Sequence, residues 1–134
     1  METNSLSWMI GGEAGYGIMT TGLIFAKVCS RAGLHVFDHT EYPSLIRGGH
    51  NTYQVMADVE EVFSHAMHVD LLVALNKETI DKQKGELTPG GGIIYDGDKI
   101  LLSKENLGRE DVKLYPVPLL RLAEESGGRS IMIN

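Results

Sequence analysis

Two stretches of this sequence hold the residues whose types and spacing could do chemistry. The first is Gly11-Gly12-Glu13-Ala14-Gly15-Tyr16-Gly17, with four glycines in seven residues. Glycine tolerates positive φ and lets a ligand or another backbone come close. Where such a turn opens a helix, unpaired N–H groups and a partial positive charge face outward and suit an anion. The functional reading is a phosphate- or carboxylate-binding turn. The alternative is a tight strand-to-helix turn that binds nothing. The second stretch runs from His39 to Asn51 and gathers two histidines, Glu41, Arg47, Gly48-Gly49 and an aromatic before a proline. Arg47 could clamp a phosphate or carboxylate in bidentate fashion, and Gly48 and Gly49 would let the backbone donate to the same anion. The plainer readings are a surface ion pair between Arg47 and Glu41, and His50 as a polar residue leading into a strand. Neither explains so many polar types in one loop, and a long loop in a compact domain usually carries function.

Other chemistries find less support. His35, His39 and His50 could ligate a metal, but no second carboxylate or thiolate stands at a recognisable spacing, so no metal site is expected. Cys29 is the single cysteine. It permits no internal disulfide and no cysteine-held Fe–S cluster in this chain, and it reads as a small apolar helix residue. Asp38 follows the first turn at roughly the distance of the acid in a dinucleotide-binding unit. The glycine spacing opposes that reading: counting from Gly15 and Gly17, the third glycine position is Thr20. No acid/base or nucleophile constellation is present, so no catalytic residue is expected in the chain itself.

The elements that must position these loops follow from periodicity. Leu6 to Ile10 reads as a strand entering the first glycine turn. Ile18 to Ala32 has a helical period, with Ile18, Gly22, Phe25, Ala26 and Cys29 on one face. Gly22 costs about 1 kcal/mol in mid-helix, which a close approach to the sheet would explain, and Gly33 ends the helix as C′. Thr20 and Thr21 lie near its start, where a hydroxyl could help hold an anion or cap locally. Leu34 to Asp38 is a second strand, giving a βαβ unit and a parallel sheet. Thr52 to Met56 alternates as a third strand. A turn follows, with Val62 and Phe63 packing and His65 and His68 as polar residues. Asp70 to Leu75 reads as a central strand buried on both faces. Asn76 caps a helix from Lys77 to Gly85. Thr88 to Gly91 is a turn, Gly92 to Asp96 a buried strand, and Val112 to Val117 a last strand. Pro118 opens a helix with Leu119, Leu122 and Ala123 inward.

The chain has 134 residues, 43% hydrophobic and 22% charged, consistent with one globular domain. A net charge of −6 without a basic block gives no reason to expect a nucleic-acid partner. No apolar run approaches the ~20 residues of a membrane span, and the polar start from Met1 to Ser7 lacks a signal-peptide pattern. No membrane partner is expected, and the cytoplasm is the expected location. Gly127 to Ser130 breaks the chain before Ile131-Met132-Ile133-Asn134, and the reading is the front part of a longer polypeptide.

Taken together, Gly11 to Gly17 and Glu41-Tyr42-Pro43-Ser44-Leu45-Ile46-Arg47-Gly48-Gly49-His50-Asn51 resemble the gamma-type domain of 2-oxoacid:ferredoxin (or flavodoxin) oxidoreductases. Asp70 to Leu75, Pro89-Gly90-Gly91, Ile94-Tyr95-Asp96, Pro116-Val117-Pro118, Leu122-Ala123 and Asn134 continue the likeness, which covers nearly the whole chain. The form of the second loop is similar to versions in which this domain is fused ahead of an alpha-type part. The resemblance implies a doubly wound, mostly parallel, Rossmann-like α/β sheet with helices on both faces. It further implies one gamma-type domain over residues 1–134, truncated at its C-terminus and inactive alone. The complex would oxidatively decarboxylate a 2-oxoacid on thiamine diphosphate. It would pass electrons through 4Fe-4S clusters to ferredoxin or flavodoxin and the acyl group to coenzyme A. This domain would serve coenzyme A access and assembly with alpha and beta subunits, the thiamine and clusters lying mainly on other domains. Gly12, Gly15, Gly17, Arg47, Gly48, Gly49, His50 and Asn51 would line the face toward that chemistry. A stand-alone nucleotide-binding module and a purely structural partner subunit are the alternatives. Two departures stand out: the chain is shorter than the family's domain, and Glu13 and Tyr16 replace small or amide residues.

Overall fold

The computed structural model describes residues 4–42, 49–64 and 68–127. In chain order the elements are β1 (Ser5–Glu13), α1 (Ile18–Arg31), β2 (His35–Glu41), β3 (His50–Asp58), β4 (Val69–Ala74) and α2 (Lys77–Gln83). A 3₁₀ turn (Lys84–Glu86), β5 (Leu87–Asp96), α3 (Lys104–Leu107), β6 (Lys113–Val117) and α4 (Leu119–Glu125) complete them. The six strands form one sheet in the order β2-β3-β1-β4-β5-β6. β1, β4, β5 and β6 are mutually parallel. β3 alone runs the other way, between β1 and β2.

Helices cover both faces, as expected of the doubly wound α/β class. One core gathers Trp8, Ile10, Tyr53, Val55 and Leu75 beneath Ile18 and Ala26 of α1, with Leu119 of α4 against it. The other gathers Met9, Leu72, Ala74, Ile93 and Tyr95 beneath Ile80 of α2 and Leu107 of α3. Alternate residues of each strand serve opposite cores, as the period-2 pleat requires.

Several local expectations hold for their stated reasons. Gly33 has φ +91°, and the N–H groups of Gly33 and Leu34 donate to Ser30 and Cys29 carbonyls, closing a Schellman motif. The Asn76 side chain accepts from the Thr79 N–H at 2.9 Å. Cys29 is buried in α1; burial pushes its thiol up. A Cβ on Gly22 would lie 2.2 Å from the Tyr53 ring, so the mid-helix glycine lets α1 settle onto β3.

The structure corrects other expectations. β1 does not stop at Ile10: Gly11, Gly12 and Glu13 pair with Thr52, Asn51 and His50, so the turn is only Ala14 to Gly17. β1-α1-β2 is a crossover, but β3 separates its strands, because the return from β2 pairs antiparallel on the inner side. Thr88 to Gly91 belongs to β5, where Val69 pairs with Leu87 but Leu71 with Gly92, a bulge that absorbs Pro89 and Gly90. Phe63 is 81% exposed and Leu122 is 46% exposed, so neither packs inward. Leu72 and Ala74 are fully buried, whereas Leu71 and Val73 on the opposite face of β4 are half-buried. His65 lies outside the described residues.

Gly22→Ala drives a methyl into the Tyr53 ring and should destabilise the fold by about 1–3 kcal/mol, the usual cost of overpacking. Gly85→Ala, whose Cβ meets nothing within 4 Å, should leave stability nearly unchanged. Urea denaturation of both variants checks this, and equal midpoints would refute the close-approach role.

Candidate functional site

The site lies at the C-terminal edge of the parallel strands, where α/β sheets place ligands. The antiparallel β1–β3 register sets Glu13 opposite His50 and Gly12 opposite Asn51. Just beyond, the Ala14 N–H donates to the Gly49 carbonyl at 3.1 Å. The two glycine stretches, far apart in sequence, are thus one continuous edge. Of the expected site residues, Gly12, Gly15, Gly17, Gly49, His50 and Asn51 meet here. Arg47 and Gly48 lie outside the described residues.

The glycines do different work. A Cβ on Gly12 would stand 3.0 Å from Leu75 Cβ and 3.2 Å from Ile18 Cδ1, so Gly12 is a packing contact between strand and helix. Gly11 similarly admits Thr79, whose Cγ2 would be 2.6 Å from a Cβ. Gly15 and Gly17 have φ +97° and +74°, values L side chains rarely adopt. Nothing stands within 4 Å of a Cβ at Gly15, so its backbone is open to an approaching group. Gly17 caps α1 without a side-chain hydrogen bond. Thr20 is exposed at the helix start, and Glu13 is exposed at the end of β1.

Beside this edge is an open cleft of about 630 Å³ lined by Thr40, Glu41, Tyr42, His50, Lys82 and Gln83. Tyr42, Lys82 and Gln83 were not among the expected site residues. Tyr42 was visible as the aromatic before Pro43. The α2 residues carried no local signal, since only folding brings that helix over the edge. Lys82 pairs with Glu78 at 2.7 Å, and His39 stands 3.6 Å from Glu41. The Gln83 amide, turned so that its NH2 donates to Glu86 at 3.0 Å, presents its oxygen to His50 Nε2 at 3.5 Å. His50 Nδ1 is the one buried side-chain polar atom among the described residues without a partner. Burial, with Lys82 adding, lowers the His50 pKa, while Glu78 and Glu41 oppose the shift.

Asp38 does not serve as a ribose acid. It lies mid-strand opposite Val55, and its carboxylate accepts a hydrogen bond from the Tyr53 hydroxyl. Burial and that carboxylate both raise the Tyr53 pKa. Among the described residues no group of three or more His, Cys, Asp or Glu is placed to hold a metal.

A doubly wound sheet with one inserted antiparallel strand, and glycine-rich edges joined over its C-terminal end, defines the class. The model of the pyruvate ferredoxin/flavodoxin oxidoreductase family matches residues 7–134, and the chain belongs to that family. It is 32% identical over 119 residues to the ketoisovalerate oxidoreductase subunit VorA of Methanothermobacter marburgensis, covering 88% of this chain and 24% of that protein. The solved 2-oxoglutarate:ferredoxin oxidoreductase of Magnetococcus marinus, with 2-oxoglutarate, coenzyme A and succinyl-CoA bound, superposes with a TM-score of 0.83. Identity there is 32%, covering 95% of this chain and 22% of that one. The keto/oxoacid ferredoxin oxidoreductase gamma subunit of Geobacter sulfurreducens shares the fold, with a TM-score of 0.77 at 23% identity. That match covers 96% of this chain and 69% of that one. This chain spans only 12% and 24% of the first curated relatives it matches. No helix among the described residues is long and apolar enough to cross a membrane.

A lowered His50 pKa has a definite sign for stability. The native state favours neutral imidazole, so the unfolded chain binds more protons between the native pKa and about 6.5, and stability is lost as pH falls through that window. An NMR titration should place the His50 midpoint below 6.5. Lys82→Gln should move it upward, and an unmoved midpoint would exclude Lys82 as a cause.

Proposed function

We propose that this chain is the gamma-type part of a 2-oxoacid:ferredoxin oxidoreductase, one gamma-type domain over its length. In this reading it helps admit coenzyme A and hold the assembly together, and other domains make and break the bonds. The observation that carries the reading is the joined edge, where Ala14 meets Gly49 and Asn51 stands opposite Gly12, in a chain of this family. The similar Magnetococcus oxidoreductase holds coenzyme A with 2-oxoglutarate and succinyl-CoA. By the same likeness the partners are alpha and beta subunits and, through them, ferredoxin or flavodoxin, in the cytoplasm.

The residues present fit a share of coenzyme binding and not the redox chemistry. Gly15 offers open backbone, and the Tyr42 ring, 60% exposed, lies in the cleft beside Lys82. Arg47 supplies a fork for a phosphate, which the Glu78-paired Lys82 and exposed Glu13 do not. One cysteine cannot hold a 4Fe-4S cluster, so in this reading the clusters, like thiamine diphosphate, lie mainly on other domains of the complex. Coenzyme A brings the thiol that accepts the acyl group. This chain's part is to bind and orient: Gly15, Gly17 and Gly49 keep side chains out of the way, Arg47 and Gly48 hold an anion, and His50 and Asn51 shape the edge.

Calorimetric titration of the assembled oxidoreductase with coenzyme A tests this. Arg47→Ala should weaken binding by roughly 10–100-fold, the value of one charge-assisted contact, and His50→Gln should weaken it less. Unchanged affinity and turnover in Arg47→Ala would refute the assignment and leave a purely structural role.

A further inference from the structure

The residue after β4 and Leu75 holds more hydrogen-bonding capacity than its cap uses. Asn76 Oδ1 accepts from the Thr79 N–H at 2.9 Å and from the Thr79 hydroxyl at 2.7 Å. An amide oxygen has two lone pairs, so both are spent. Turned the other way, the amide would set its NH2 against the Thr79 N–H and lose the cap, so its orientation is fixed. The planar amide then points its NH2 away from Thr79. Among the described residues neither of those two donors has a partner. The free donor is this side chain and not the end of the short α2, whose first turn the cap itself serves.

The donor sits where the sheet divides. β1 and β4 are parallel neighbours, with α1 on one face and α2 on the other. The crevice outside the ends of two such strands is where α/β sheets take ligands. The Leu75 N–H donates to the Gly11 carbonyl at 3.0 Å, and Leu75 packs on Gly12, which sets Asn76 beside the first glycine stretch. Thr79, which holds the amide, also leans on Gly11. A Cβ there would meet Thr79 Cγ2 at 2.6 Å and, from the other side chain, His50 Cε1 at 3.4 Å. One glycine thus joins Asn76, through Thr79, to His50, whose Nδ1 is buried and unpartnered among the described residues. Two side chains with unspent hydrogen-bonding capacity share one patch of the edge, where covered polar groups are normally paired.

We infer that Asn76 is a coenzyme-binding residue, its held NH2 donating to a phosphate or pantetheine carbonyl oxygen of coenzyme A at the crevice between β1 and β4. The residue type supports this. Asn, Asp and Ser cap helices about equally well, and Asp would add a favourable charge at the helix start. Of the three, Asn alone caps through its oxygen and keeps two donors for another group. A side chain already fixed by two bonds has lost its rotamer freedom in advance, so a ligand gains the contact without that cost. The donor is also neutral and unpaired, unlike Lys82, which Glu78 engages. The inference rests on the coenzyme reading of this edge and adds to it a residue of the neighbouring strand, so the two can fail separately.

The test uses cap-retaining variants in the assembled oxidoreductase. Asn76→Ser and Asn76→Asp keep an oxygen for the Thr79 N–H and remove the donor, so both should melt at the native temperature. In calorimetric titration Asn76→Ser should weaken coenzyme A binding by roughly 3–10-fold, the value of one neutral hydrogen bond. Asn76→Asp should weaken it further, because a carboxylate then meets the ligand oxygen. The KM for coenzyme A should rise while that for the 2-oxoacid stays. ADP shares the diphosphate and lacks the pantetheine arm: a fall for both ligands puts the amide on a phosphate, and a fall for coenzyme A alone puts it on the pantetheine. Native affinity in both cap-retaining variants overturns the inference. So does affinity that falls only in step with melting temperature, as Asn76→Ala, which loses the cap too, would show for a purely structural amide. Weakened binding in Arg47→Ala beside native binding in Asn76→Ser rejects the Asn76 contact alone. Native binding in both rejects the coenzyme reading with it.

Discussion

The structure depends on the antiparallel pairing of β1 with β3 along their whole lengths, from Ser5 opposite Asp58 to Glu13 opposite His50. A parallel crossover alone would set β2 against β1 and leave the second glycine loop one strand farther off. Inserting β3 folds that loop back so that its exit, Gly49, meets Ala14. Everything at the C-terminal edge follows: glycines from both stretches share a surface, and His50 falls next to α2.

The insertion is held at both faces and at the far end. On one face, Gly22 lets Tyr53 press into α1, and the Tyr53 hydroxyl reaches Asp38 on β2, tying three elements through one side chain. At the far end, buried Gln54 donates to Ser7 Oγ at 2.8 Å and to the His68 carbonyl at 3.1 Å. Ser7 in turn donates its hydroxyl to His68 and its N–H to Asp70. Buried polar groups are costly unless satisfied, so this network favours one register of β1, β3 and β4 over a slipped one. A one-residue slip would also move Tyr53 and Val55 off the core face.

The described part of this edge fits the proposed binding role. Its nearest titratable group, His50, is held toward the neutral form by burial and by Lys82. Its acids, Glu13 and Glu41, are exposed, and the described cation Lys82 is already paired. In the proposed reading an anion would depend on backbone donors and on Arg47. This accords with a family in which the chain is one part of a much larger assembly.

The sequence by itself determined what is local. The α1 period, its Gly33 stop, the Asn76 cap and the mid-helix glycine as a close approach each rest on a few adjacent residues whose preferences nothing distant opposes. The pair of glycine motifs was legible too, and with it the family. The tertiary structure alone decided strand order, because β2 and β3 read alike whichever neighbour they pair with. It drew Gly11 to Glu13 into β1 and Thr88 to Gly91 into β5, since a partner strand can hold glycines that on their own read as a turn. It also decided exposure. Leu71 and Leu72 are chemically identical, and only the placing of helices over one face leaves the first half-open and the second fully buried.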